Sequence, residues 1–111
     1  MNPSIDDSIE AAGVFRALSD PFRLHIFTAI SGRSREMKVG DEPTVMSMAE
    51  VVEEVARSMN TSPDHVEQHI LELSRVRLVS VGEDADGRLT ITVNGELVDR
   101  VRRLAAGSDD A

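Results

Sequence analysis

The residue pattern predicts a mainly α domain carrying one β-hairpin, in the order α-α-(β)-α-α-β-β-α, and three observations support that class. The chain has 111 residues, close to the usual size of one domain and too short for two independent apolar cores. Apolar residues recur at helical spacing through most of the chain up to Arg75, and from Arg77 onward the period drops to two. Between two such alternating runs lies Asp86-Gly87, the usual chemistry of a tight hairpin turn.

From Ser4 to Leu18, the residues Ile5, Ile9, Ala12 and Leu18 define an amphipathic helix, with Asp6, Asp7 and Glu10 near the end where the helix dipole favours acids. Ser19-Asp20-Pro21 restarts a helix, a capping residue being followed by proline at the first helical position. Phe22, Leu24, Ile26, Phe27 and Ile30 make this second helix apolar on most sides. These two helices occupy 4–31, and the polar run SGRSREMKVGDEPTV that follows predicts a long loop over 32–46. Ser47 and Glu50 have capping-box spacing, and Met48, Val51, Val52, Val55, Ala56 and Met59 fall on one face of a third helix. After the turn Asn60-Thr61-Ser62, a fourth helix opens with Pro63, carries Val66, Ile70 and Leu73 as its apolar stripe, and runs to about Ser74. Two helices joined by so short a turn, over 47–74, form a helix-turn-helix unit with the second helix in the recognition position. A hairpin follows over 77–93, with one strand from Arg77 to Val81 and another on which Leu89, Ile91 and Val93 alternate with polar residues. A helix over 95–106, bearing Leu97, Val98, Val101 and Leu104, completes a single winged helix-turn-helix domain over 1–106, with the hairpin as its wing and 107–111 as a flexible tail.

Composition narrows the class further. A hydrophobic fraction of 41% with 29% charged residues is ordinary for a globular domain, and no apolar run is long enough to cross a membrane. The opening MNPSIDDSIE lacks the basic and apolar segments of a secretory signal, so a cytoplasmic location is expected. Without cysteine there is no disulfide, thiolate metal site or cysteine nucleophile. The net charge of −8 opposes binding to a polyanion unless basic groups are gathered locally. Of the 12 basic residues only Lys38 is a lysine, a bias that fits a GC-rich genome and a salty cytoplasm, where screening weakens repulsion by the chain's own acids.

The stretch from Phe15 to Ile26, FRALSDPFRLHI, resembles the opening of the ArsR-type winged-helix transcription regulators, in which "ALSDPxRLxIL" recurs. The segment from Met48 to Ala56 stands where that family has the first helix of its helix-turn-helix, and Ser62 to Leu73 is similar to its recognition helix, keeping Ser62, Val66, His69 and Leu73. The resemblance covers roughly residues 14–93 and lies mainly in core and capping positions, so it speaks to fold more than to activity. It implies that Asp64, His65, Glu67, Gln68 and Leu71 face the major groove or phosphates of double-stranded operator DNA, with His65 and Gln68 as base readers. Two of these five are acidic, and the wing from Gly82 to Arg88 sets Glu83, Asp84 and Asp86 against Arg88, a sum of −2. Basic candidates for phosphate contacts are Arg57, Arg75, Arg77 and Arg88, with Arg33, Arg35 and Lys38 in the expected loop.

The resemblance also implies a homodimer in which the first and last helices meet a second copy through Ile5, Ile9, Leu97, Val98, Val101 and Leu104; packing of the same residues within one chain is the alternative. His65 and His69, four apart, have a spacing that can hold a divalent metal, but His69 reads better as a packing residue beside an exposed His65. The cysteine pair of many ArsR sensors is absent and the last helix has no histidine, so no metal or other cofactor is expected. No Gly-rich phosphate loop and no spaced serine, histidine and acid set point to an enzyme. Two functions follow: a homodimeric DNA-binding regulator, or an acidic winged helix used for protein–protein interaction or DNA mimicry, in which Asp64, Glu67, Glu83, Asp84 and Asp86 meet a basic partner.

Overall fold

Alternating caps and apolar stripes produce eight elements in the computed structural model, which describes residues 5–105. These are α1 (Ile5–Leu18), α2 (Pro21–Met37), β1 (Val45–Ser47), α3 (Met48–Met59), α4 (Pro63–Arg75), β2 (Val79–Glu83), β3 (Leu89–Val93) and α5 (Gly95–Ala105). The protein is thus mainly helical with a small antiparallel sheet of order β1-β3-β2. The tail expected at 107–111 and the side chain of Ile5 lie outside the described residues.

The starts of α2, α3 and α4 are each fixed by a side chain that accepts from otherwise unpaired N–H groups. The Asp20 carboxylate accepts from Phe22 and Arg23 at the head of α2, Ser47 from Glu50 at α3, and Ser62 from His65 at α4. Both helices of the central pair end in a Schellman turn. At α3, Asn60 takes the left-handed conformation while Thr61 N–H bonds to the Ala56 carbonyl at 2.9 Å. At α4, Arg77 takes that slot with φ 69°, and Leu78 N–H bonds to the Leu73 carbonyl at 3.1 Å. This turn uses residues 76–78, which is why the first hairpin strand begins at Val79 and not at Arg77 as the alternation suggested.

The expected loop over 32–46 is corrected. Helix α2 runs on to Met37, and Val45–Ser47, overlapping the end of that segment, forms the strand that the expected order holds between the second and third helices, with Met46 paired to Ile91. Apolar periodicity reports burial and not helicity, and the last buried residue of α2 is Ile30. Beyond it the helix rides over α3 on polar contacts: Arg33 pairs with Glu54 and, at 3.7 Å, with Glu50.

The core joins Val14 of α1, Ile26 and Ile30 of α2, Val51 of α3, Val66, Ile70 and Leu73 of α4, Met46, Val79 and Ile91 of the sheet and Leu97 of α5. No polar or charged residue is buried among the described residues. Asn94 links the sheet to α5. Its backbone N–H bonds to the Leu78 carbonyl at 2.9 Å, its side-chain Nδ2 donates to the Arg77 carbonyl at 3.0 Å, and its Oδ1 accepts from Leu97 N–H at 3.2 Å. Asn94→Ala removes a helix cap and a hydrogen bond together, so a loss of about 1–2 kcal/mol is expected in urea unfolding. Asn94→Asp keeps the acceptor and should lose less.

Candidate functional site

Helix α4 is divided lengthwise by burial. Val66, Ile70 and Leu73 are 0% exposed, whereas Asp64, His65, Gln68, Leu71 and Arg75 are exposed on the other side. Three of the four arginines that sequence reasoning singled out for phosphate contact are exposed with small local commitments: Arg57 reaches Glu53 at 3.8 Å, Arg75 reaches Glu72 at 3.0 Å, and the backbone N–H of Arg88 donates to Asp84. Arg77 is exposed at the α4 exit, its carbonyl held by Asn94. Arg33, by contrast, is spent on Glu50 and Glu54 within the fold.

The hairpin acids are not equivalent. The Asp84 carboxylate accepts from the backbone N–H groups of Asp86 and Arg88, each at 2.9 Å, and Gly87 closes the turn with φ 79°. Asp84 therefore shapes the loop, and Glu83 and Asp86 remain as exposed surface charge.

The residues proposed for a two-fold contact divide as well. Leu97 is 2% exposed and Val101 8%, so both are packed into their own chain. That corrects their assignment as intermolecular contacts: apolar area already removed from water has nothing further to gain from a partner. Ile9 is 64% exposed, and Val98 and Leu104 are half-buried. Arg100 of α5 reaches Glu10 of α1 at 2.7 Å, which ties those two helices within the chain.

Sequence reasoning missed Arg23. It projects from the first turn of α2 toward α4, donates through Nη1 to the Ala17 carbonyl at 3.1 Å, and donates through Nε to Nδ1 of His69 at 3.3 Å. Nε2 of His69 lies 3.3 Å from Nε2 of His65, and Nδ1 of His65 lies 3.0 Å from the Thr61 hydroxyl. Phe22 packs on both imidazoles, its ring centre 4.5 Å from His65 and 4.9 Å from His69. Arg23, His65 and His69 border a shallow depression of about 370 Å³ together with Gln68, Leu71, Glu72 and Arg75. Burial holds the His69 imidazole below the ordinary histidine value of 6.5; Asp20 and Glu72 oppose that shift, and Arg23 and His65 reinforce it. Hydrogen bonds from the Arg23 and Phe22 backbone keep the Asp20 carboxyl below its ordinary value of 3.8.

Among the described residues no group of three histidine, aspartate or glutamate side chains is placed to hold a metal ion. None of the described helices is long and apolar enough to cross a membrane. An open groove of about 790 Å³ between the end of α2, the sheet and the start of α5 has Arg35, Lys38 and Arg102 facing Asp41, Glu96 and Asp99, so its lining selects no ligand charge. No model of a known protein family matches the chain, and no curated protein shows significant similarity to it.

The lowered His69 value fixes the sign of a pH effect. The unfolded chain takes up this proton more readily than the folded one, so the contribution is favourable above the ordinary value of 6.5 and is lost as pH falls from there through the lowered folded value. The Asp20 contribution is lost only at lower pH, below its ordinary 3.8. Thermal unfolding of the wild type should therefore show a decline beginning near pH 6.5, and His69→Gln should remove that step while leaving the acid limb.

Proposed function

We propose that the chain is an ArsR-like winged helix-turn-helix transcription regulator that acts in the cytoplasm as a homodimer on operator DNA, without a cysteine metal-sensing site. The observation that carries this reading is the division of α4: one side is wholly buried, and a row of polar side chains on the other is open to a ligand. The short α3–α4 turn and the β2–β3 hairpin supply the neighbouring surfaces expected of such a domain. In this reading α4 enters the major groove. Of the two expected base readers, His65 is turned to Thr61 and His69, and Gln68 is the open one, since a glutamine amide can bond adenine through two atoms. Arg57, Arg75, Arg77 and Arg88 hold phosphates at the margin. Ile9, with Val98 and Leu104, is the apolar surface left for a second copy.

Asp64 and Glu67 work against that complex. Neither has an ion-pair partner among the described residues, and this favours a second reading, in which the same face meets a basic protein surface.

Selection from a random duplex pool, run at low and high potassium, is expected to enrich one sequence under the first reading. Enrichment of none at either salt overturns it. Asp64→Asn with Glu67→Gln should tighten DNA binding roughly threefold to tenfold at low salt by removing like charge near phosphate. If the face serves a protein partner, the same pair of changes should abolish that binding and leave DNA affinity absent.

A further inference from the structure

The histidine pair beside α4 admits one arrangement of protons when both rings are neutral. Arg23 Nε–H can only donate, so Nδ1 of His69 is an acceptor and the ring carries its proton on Nε2. That proton lies toward Nε2 of His65 at 3.3 Å, which places the His65 proton on Nδ1, facing the Thr61 hydroxyl at 3.0 Å. One fixed donor thus orders the whole chain, from Arg23 through His69 and His65 to Thr61.

A further proton breaks it. On His69 the new N–H would face the Arg23 N–H, and on His65 it would face the Nε2–H of His69. Either event frees an N–H donor and a positive charge at the rim of the depression that Arg23 and Arg75 also line. The charged groups facing the rings are Asp20 and Arg23 from α2 and Glu72 and Arg75 from α4. Both carboxylates are partly engaged: Asp20 caps α2 through Oδ1, and Glu72 pairs with Arg75 through Oε2 at 3.0 Å. The freed donors face the open depression, where water or an external oxyanion can accept from them.

We propose that Arg23, His65 and His69 form a proton-gated phosphate site, in which neutral rings bind each other and protonated rings, with Arg23, bind an oxyanion of a nucleic-acid backbone. The choice of backbone phosphate over free phosphate rests on the DNA-binding reading above. Along α4, Asp64, Glu67 and Glu72 against Arg75 sum to −2, and one proton taken up by the pair brings the sum to −1. That proton weakens the net repulsion that this helix offers to DNA.

The test measures binding of a labelled mixed-sequence duplex at about pH 7.5 and about pH 5.5 at constant salt, a range that spans ordinary histidine titration. Wild type is expected to bind at least about tenfold tighter at the lower pH, the effect of one charge-assisted phosphate contact. The double variant His65→Gln with His69→Gln should show little change with pH, and His25→Gln, which removes the histidine outside this cluster, should keep the full effect. If the double variant does not fold by circular dichroism, His65→Gln alone, on an exposed ring, is read in the same way. Equal pH dependence in wild type and variant overturns the proposal. Inorganic phosphate, added while the histidine ring C–H signals are followed by NMR, separates the two inferences. Shifts at His65 and His69 at low pH with no duplex binding leave the site standing and remove the DNA reading. Duplex binding that ignores pH, with no phosphate shift at these rings, does the reverse.

Discussion

The rotation of α4 about its own axis is the constraint on which the outer surface depends. Val66, Ile70 and Leu73 lie on one stripe, and each is removed completely from water, a gain of about 1.5–3 kcal/mol per side chain before entropy is counted. With no polar residue buried among the described residues, nothing inside would compensate a rotation that brought Glu67 or Gln68 inward. Ser62 and Pro63 fix where the helix begins, and the Schellman turn through Arg77 and Leu78 fixes where it ends. The exposed row follows from these restraints, because every position not on the stripe must face out or sideways.

Charge then decides what that row can meet. The chain carries 20 acids against 12 bases, and many of its arginines are matched inside their own element or to a neighbouring helix. Exposed pairs such as Arg57 with Glu53 contribute little to stability and are easily exchanged for another anion. The Arg23–His69 contact is different. It bridges α2 and α4 beneath the Phe22 ring, so it couples the capped start of one helix to the open face of another.

Much of this was legible in the residue pattern. Ser47, Ser62, Asp20 and Pro63 announced their helix starts, since each is a local signal that tertiary packing had no reason to override. The second half of α2 was not, because from Ser31 it leaves the core and loses the apolar rhythm by which helices are recognised. Strand β1 is only three residues long and is held by β3 from far along the chain, so its own sequence says little. Arg77 conceals its turn, the left-handed slot being one that glycine usually announces. At the candidate site, His65 and His69 stood out by spacing, but the group that orders them is 46 residues from His69 and became visible only when α2 was laid against α4. Leu97 and Val101 looked like surface for a partner, since an amphipathic stripe does not reveal which neighbour covers it.

Most directly at stake is the ordering of the two imidazoles by a single guanidinium. Long-range ¹H–¹⁵N correlation spectra of the folded protein above the histidine titration range report which ring nitrogen carries each proton. Arg23 donating to His69 requires His69 protonated at Nε2 and His65 protonated at Nδ1. Two rings both protonated at Nε2, or both averaging freely between tautomers, would contradict it.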